Sequence, residues 1–162
     1  MKYMMLERGA QQELLQSLGE MAGYLEERCA GLSPDQAASA AAGGGFSPVE
    51  QCWHLADLER EGFGERIRRL LQETEPALED FDGARYAAER KYTSRSLAGG
   101  IEAFRQARQE NIAILRSIQG DDWQRRGTQE GVGSVALCDM PVMMAEHDAS
   151  HRGEIEEWFR AR

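Results

Sequence analysis

Four long stretches of the chain place apolar residues three and four positions apart, and this spacing limits the possible folds more than any other feature. It is the spacing of a helix with one apolar face. The stretches cover about 6–28, 48–73, 97–119 and a last one that begins between 136 and 139 and ends at Phe159. No stretch shows a convincing strand pattern. The sequence therefore predicts an all-α fold, a four-helix bundle with one domain over residues 1–162.

Helix starts are marked by serine caps. Ser-Pro-Val-Glu at 47–50 combines a capping serine, a proline in the first turn and a glutamate that can close a capping box. Ser33 opens a similar pattern for a short helix, and Ser96 can cap the third long helix. Gly43, Gly44 and Gly45 are interpreted as a flexible connector, because neither a dinucleotide fingerprint nor a Walker lysine accompanies them.

A long connection follows the second helix, from Ala77 to Ser94. Segments of this length carry short helical turns or shape a functional mouth, so we expect one of the two here. Its aromatic residues are expected to contact the bundle: Phe81, Tyr86 and Tyr92. The sequence also predicts a short turn at 121–123 and a loop in the glycine-rich stretch 127–133.

Composition limits the partners. The formal net charge of −9 disfavours nucleic acid and anionic membranes, because both are bound mainly through lysine and arginine. No apolar stretch is long enough to cross a bilayer, and the first residues lack the apolar core of a signal peptide. We therefore expect a cytoplasmic protein. Cys29, Cys52 and Cys138 form no Cys-x-x-Cys pair and are expected to be reduced, buried thiols.

Two of the three histidines, His147 and His151, stand one helical turn apart in the last helix. That spacing puts both rings on one face. The same face carries apolar residues, so both rings are expected to point into the core: Met140, Met144, Ile155 and Trp158. His54 lies in the second helix, and packing of the two helices would bring three imidazoles together. The alternative is that they are hydrogen-bonded core histidines without a metal.

Three histidine ligands would leave an open position on a cation, as in catalytic metal sites. Nitrogen ligands suit zinc, nickel, copper or ferrous iron without choosing among them. Glu50 and Asp57 lie one turn before and after His54, where each is either a partner that orients a ligand imidazole or a surface carboxylate.

The pattern around the histidines resembles that of the DinB-like metal-binding four-helix bundles. The matching residues are Ser47, Pro48, Glu50, His54, Leu55, Ala56, Asp57, Glu146, His147, Asp148, His151, Gly153, Glu154 and Ile155. Phe46, the helix from Phe104 to Leu115 and the turn at 122–123 also resemble family features. The chain departs at Ala136, where many relatives have a capping threonine, and at Glu154, where many have glutamine.

The resemblance implies that His54, His147 and His151 are the metal ligands, with zinc, nickel or iron as the ion. Characterised members of the family include thiol-dependent S-transferases and a mycothiol-dependent isomerase. By resemblance we expect a metal-dependent enzyme that activates a low-molecular-weight thiol for transfer to a small electrophile, in detoxification or the stress response. The resemblance also implies a homodimer.

Two other functions remain open. One is a metal-dependent hydrolase, whose general base would come from Glu50, Asp57, Glu146 or Asp148. The other is a metal-stabilised helical interaction module without turnover. Four large side chains either line a substrate pocket or belong to the bundle core: Phe46, Trp53, Met144 and Trp158.

Overall fold

The computed structural model of the chain describes residues 2–4 and 6–162. Its helices are α1 (Arg8–Leu18), α2 (Met21–Cys29), α3 (Pro34–Ala37), α4 (Pro48–Asp57), α5 (Glu65–Gln72), α6 (Gly83–Glu89), α7 (Leu97–Ser117) and α8 (Met140–Arg160). The strands are β1 (Ala77–Leu78), β2 (Arg126–Gln129) and β3 (Gly133–Ala136). Helices make up most of the chain and the sheet is minor, which confirms the all-α prediction.

The bundle packs α4 against α7 and α1 against α8, and α2 and α8 also contact the α4–α7 pair. Its core falls into two clusters of buried side chains. One surrounds Phe63, Leu115 and Met140, and the other surrounds Leu25 and Phe104. Burying an apolar side chain of this size stabilises the fold by roughly 1.5–3 kcal/mol. The two clusters therefore hold the helices in fixed relative positions.

The first helix is broken, which corrects the prediction of one continuous helix over 6–28. α1 ends at Leu18 and α2 begins at Met21, with Gly19 and Glu20 between them. The apolar period continues through the break, so the spacing alone gives no warning of it. Glycine is a weak helix former, and the break lets both Leu18 and Met21 be almost fully buried.

The second helix starts as predicted. The Ser47 hydroxyl accepts from the Glu50 N–H at 3.4 Å, and the Glu50 carboxylate accepts from the Ser47 N–H at 3.1 Å. The helix is continuous from α4 to α5 only through a π-helical segment, Leu58–Gly64. π-Helical segments are frequent at functional sites, and this one follows directly after the helix that carries His54.

Residues 127–133 are part of a β-hairpin, which corrects their prediction as a loop. β2 pairs antiparallel with β3, and β1 adds to β2 in parallel. The inward residues of β2 are Gly127 and Gln129, so the strand lacks the apolar alternation that would reveal it. Gly131 and Gly133 have φ of 79° and 104°, a backbone conformation that glycine adopts readily.

The last two long helices agree closely with their predictions. Ser96 caps α7 by accepting from the Gly99 N–H at 3.0 Å, but α7 ends at Ser117 rather than at Gly120. The short turn is a 3-10 helix, Gly120–Gln124. α8 begins at Met140, just after the predicted range, and ends at Arg160. Before it, the Asp139 carboxylate accepts from the Ala136 N–H at 2.7 Å.

The connection after α5 carries short helical elements, as expected: α6 and a 3-10 turn, Tyr92–Ser94. Tyr92 is fully buried and Phe81 stacks on Tyr86 at 4.7 Å between ring centroids. The three cysteines are buried as thiols and not as disulfides. Within the described residues no helix is both long and apolar enough to cross a membrane.

Candidate metal centre

The three histidines lie side by side. His54 comes from α4, and His147 and His151 come from α8. The ring centroids of His54 and His151 are 4.8 Å apart, and those of His147 and His151 are 6.0 Å apart. The fold therefore brings His54 together with two histidines that are distant from it in the sequence.

The three rings differ in exposure. His54 and His151 are 8% and 7% exposed, whereas His147 is exposed, which corrects the prediction that both histidines of α8 point into the core. The reason is that the turn of α8 carrying His147 borders a cavity of about 410 Å³. The edge of the His147 ring meets Phe63 at 5.4 Å. The site is thus open to solvent on the His147 side.

Hydrogen bonds fix the orientation of His151. Gln51 donates from Nε2 to the Glu154 carboxylate at 2.6 Å, so its Oε1 is the atom that faces His151 Nδ1 at 2.9 Å. An amide oxygen can only accept, so Nδ1 of the neutral ring carries the hydrogen. Nε2 of His151 then keeps its lone pair. This tautomer and a hydrogen-bonded Nδ1 are what a histidine needs to bind a metal through Nε2.

His54 has a buried nitrogen without a partner. Its Nδ1 makes no hydrogen bond with any residue that the structure describes. The ring lies between Phe46 and Phe81, at centroid distances of 5.3 Å and 5.9 Å. Gly83 closes the remaining side so tightly that a Cβ there would come within 2.6 Å of His54 Cε1 and 2.8 Å of Nδ1. Only glycine fits beside the ring in this arrangement.

All three imidazoles are held neutral. Burial is the main cause that lowers the pKa of His54 to about 3, and the charges of His151 and His147 contribute to this shift. Burial also lowers the pKa of His151, against the opposing charge of Glu154. For His147, loss of hydration lowers the pKa first, followed by the charges of His151 and Arg66. Neutral imidazole is the form that binds a metal.

The donor set fits a divalent transition metal in its chemistry: neutral rings, a buried nitrogen without a partner and a fixed tautomer. As the side chains stand in residues 2–4 and 6–162, no group of three or more His, Cys, Asp or Glu is arranged to hold an ion. Coordination by all three rings would therefore require side-chain rotation. The assignment of His54, His147 and His151 as ligands stays a prediction.

The four carboxylates considered as general bases all have other partners. Glu50 completes the helix cap, and the Asp57 carboxylate accepts from the Tyr92 hydroxyl and pairs with Arg90. Glu146 accepts from the Tyr3 hydroxyl at 2.7 Å. Asp148 binds Arg108 through two hydrogen bonds of 2.8 and 2.9 Å. Asp57 is buried, so it is not the surface carboxylate that one alternative expected.

The four large side chains divide between pocket and core. Phe46 and Trp158 line a cavity of about 520 Å³ that also reaches Gln51 and Glu154. Met144 is fully buried in the core. Trp53 packs beside Gly99 and Gly100 and donates from its indole to the Ser96 carbonyl. Of the four, only Phe46 contacts a histidine ring, that of His54.

Sequence reasoning missed Gln51 and Gly83. Gln51 stands three residues before His54 on the same helix face, and that spacing is the signal that would have found it. Gly83 lies in α6, and its approach to His54 depends on how the long connection folds back over the bundle. No local pattern in the sequence reveals this contact.

Comparison with known proteins gives one structural likeness and one family match. A solved structure with the same fold over 98% of this chain and 90% of the other is described as "YfiT from Bacillus subtilis is a probable metal-dependent hydrolase with an unusual four-helix bundle topology". The TM-score is 0.88 and the sequence identity is 18%, so this likeness concerns the fold. No curated protein matches the sequence. The sequence pattern of the DinB superfamily matches residues 17–155, and the chain therefore belongs to the DinB superfamily.

Proposed function

We propose that this protein is a metal-dependent enzyme in which His54, His147 and His151 hold one zinc, nickel or ferrous ion and a low-molecular-weight thiol is activated for transfer to an electrophile. The observation that carries the proposal is the close approach of three neutral imidazoles from two helices, with centroid distances of 4.8 and 6.0 Å. Histidines that served only as hydrogen-bonded core residues would not require three adjacent rings, a fixed tautomer on one of them and a buried nitrogen without a hydrogen-bond partner on another.

The protein's own residues would prepare the site. Gln51 and Glu154 hold His151 in the tautomer whose Nε2 has a lone pair. Phe46 and Phe81 pack against the His54 ring at tilted angles and help to exclude water from it. A bound divalent cation would supply Lewis acidity, which lowers the pKa of a thiol or of water at the open position.

The positions of the carboxylates favour the thiol reaction over base-assisted hydrolysis. Each of the four candidate bases is engaged elsewhere, so no carboxylate among them is ready to take a proton. A thiol needs little help, because its pKa of about 8.5 is near neutral, whereas that of water is about 15.7. In the transfer, the sulfur forms a bond to carbon, the leaving group departs with its electron pair, and the thiol proton passes to solvent.

Hydrolysis is the second candidate, and one observation supports it. The structural relative at TM-score 0.88 is described as a probable metal-dependent hydrolase. In this chain, hydrolysis would have to proceed without the candidate bases, with the cation alone lowering the pKa of water to about 7.

A paired assay separates the functions. Metal-loaded protein is incubated with an alkylating electrophile with and without added thiol, and separately with an ester. We expect the electrophile to be consumed only when the thiol is present. In His151→Ala the rate of this consumption should fall at least a hundredfold, while the helical circular dichroism spectrum stays unchanged. Arg160→Ala, an exposed change in the last turn of the same helix, is the control and should keep full activity.

The other outcomes have defined meanings. Ester hydrolysis that needs no thiol and disappears in His151→Ala would support the hydrolase. No turnover in either assay, together with a large fall in melting temperature when bound metal is removed, would support a metal-stabilised module without catalysis.

A further inference from the structure

Arg66 is a buried cation with almost no partner. The residue, in α5, is 5% exposed. Among residues 2–4 and 6–162, its Nε has no hydrogen-bond partner, and an Nη donates to the Glu79 carbonyl at 3.3 Å. Its guanidinium also lies 5.4 Å from the Phe63 ring. Among the residues that the structure describes, no carboxylate forms an ion pair with it, although the negative charge of Asp80 partly opposes the lowering of its pKa by burial.

The contrast with Arg108 shows what is unusual. Arg108 is equally buried, and its guanidinium is bound on both sides by Glu59 and Asp148. A buried charge without such partners is costly, and proteins normally avoid it. The chain has 28 acidic residues, so it does not lack carboxylates to place beside Arg66. An unpaired cation in this position is ready to bind an anion from outside the chain.

A cavity of about 860 Å³ gives access to Arg66. It adjoins the histidine site, because Phe81 and Gly83 form its wall on that side and both contact the His54 ring. Phe63 connects Arg66 to the other side of the site, since its ring also meets His147. The cavity and the histidine site thus share Phe81 and Gly83 as neighbours.

The charge of the cavity lining restricts which kinds of anion can bind to Arg66. Besides Arg66, the lining includes two further arginines and six carboxylates, so its formal charge is negative. Two of these carboxylates, Glu65 and Glu79, form no ion pair with another described residue. Asp80 and Glu130 add further negative charge. A phosphate or dicarboxylate would be repelled by this rim. A single carboxylate with a neighbouring ammonium group satisfies both the arginine and the rim.

We propose that this cavity binds the α-amino-carboxylate head of a small molecule, with the carboxylate on Arg66 and the ammonium group at the acidic rim. The proposal rests on the proposed function in one respect: the remainder of the molecule, as thiol or electrophile, would extend toward the histidines. Planar guanidinium binds carboxylate through two parallel hydrogen bonds, and no described residue occupies the buried Nε–H of Arg66.

Binding can be measured without any metal or turnover. The probes are S-methyl-L-cysteine, its N-acetyl derivative, which lacks the ammonium charge, and its methyl ester, which lacks the carboxylate. All three have a blocked thiol, so binding does not depend on the histidines. We expect S-methyl-L-cysteine to bind most tightly by calorimetry and the ester to bind at least tenfold more weakly.

Arg66→Met tests the residue directly. The substitution should weaken binding of S-methyl-L-cysteine at least tenfold and leave thermal stability equal or higher, because it removes a buried charge. The control is Arg69→Met, which changes an arginine of the same helix and cavity that is already paired with Glu73. It should change the affinity less than threefold.

The wild-type protein provides a second test in case Arg66→Met does not fold. The Nε–H signal of Arg66 is observable by NMR and should shift as S-methyl-L-cysteine is added. Binding of none of the probes, equal binding of the ester, or an unmoved Nε–H signal would overturn the proposal. These outcomes would leave the metal site untouched, and failure to bind metal would likewise leave the Arg66 result standing.

Discussion

Gln51 is the residue on which the chemistry of His151 depends. It accepts from the imidazole with one end of its amide and donates to Glu154 with the other, so the ring has one tautomer and one orientation. Groups that orient a metal-binding histidine in this way affect metal affinity although they do not touch the ion.

We expect Gln51→Leu to release the ring. Without the amide oxygen, His151 should populate both tautomers, and zinc affinity should fall roughly 10–100-fold. Imidazole ¹⁵N shifts in the metal-free protein and a zinc competition titration measure the two effects. Glu154→Gln is the control, because a glutamine there still accepts from Gln51. An unchanged tautomer in Gln51→Leu would contradict this role.

Gly83→Ala should disturb His54 specifically. The new methyl group would lie 2.6 Å from His54 Cε1, so either the ring or α6 must move. We expect a loss of about 1–3 kcal/mol in the free energy of unfolding, as for other overpacked sites, and weaker zinc binding. Gly23→Ala, in α2 with no atom within 4 Å of the new Cβ, should be neutral or slightly stabilising. Equal behaviour of the two variants would show that Gly83 has no such role.

Burial of His54 makes metal-free stability depend on pH. Its pKa is about 3 in the folded protein and 6.5 in a model peptide. Between these values the unfolded chain holds a proton that the folded protein lacks, so stability is complete above pH 6.5 and falls as the pH drops toward 3. The slope should approach about 1.4 kcal/mol per pH unit. Urea unfolding of wild type and His54→Gln from pH 7 to 4 tests this, and equal slopes would refute it.

At the scale of elements, the start of α4 fixes where His54 stands. The Ser47–Glu50 capping box defines the first turn of the helix, and the side chain of His54 projects from the second turn. The capping pattern is local, which is why the sequence alone predicted it correctly.

Ser47→Ala should weaken this start. The Glu50 N–H would lose its side-chain acceptor, and the free energy of unfolding should drop by about 1 kcal/mol. Hydrogen exchange at Glu50 should accelerate as the first turn frays. Ser96→Ala removes the corresponding cap of α7 and should lower stability without changing exchange in α4. Unchanged exchange at Glu50 in Ser47→Ala would argue against the cap's role.

Elements that depend on tertiary contacts were harder to predict. The break at Gly19 leaves the apolar period intact, and the β2–β3 hairpin buries Gly127 and Gln129 instead of apolar side chains. In both cases the local sequence fits two structures equally well, and packing against the rest of the chain decides between them. The same reason explains why the contact of Gly83 with His54 was not foreseen.

At the scale of the whole molecule, one buried network joins the helices around the histidines. Arg108 of α7 binds Glu59 in the π-helical segment, Asp148 in α8 and the Leu18 carbonyl at the end of α1. Asp148 directly follows His147, so the network fixes the turn of α8 on which that histidine stands.

The bundle was predictable from helical periodicity, and the approach of α4 to α8 followed from the three histidines. The buried network was not predictable, because in the sequence alone Arg108, Glu59 and Asp148 have the charge typical of surface residues.

The central claim is that three histidines hold one metal ion, and the metal content of the protein tests it most directly. Protein purified without a metal-affinity tag should contain about one zinc, nickel or iron per chain by elemental analysis. His54→Ala, His147→Ala and His151→Ala should each lose the metal while keeping the helical circular dichroism of the wild type. Wild-type protein that contains no metal and takes up none of these ions when they are added would contradict the account.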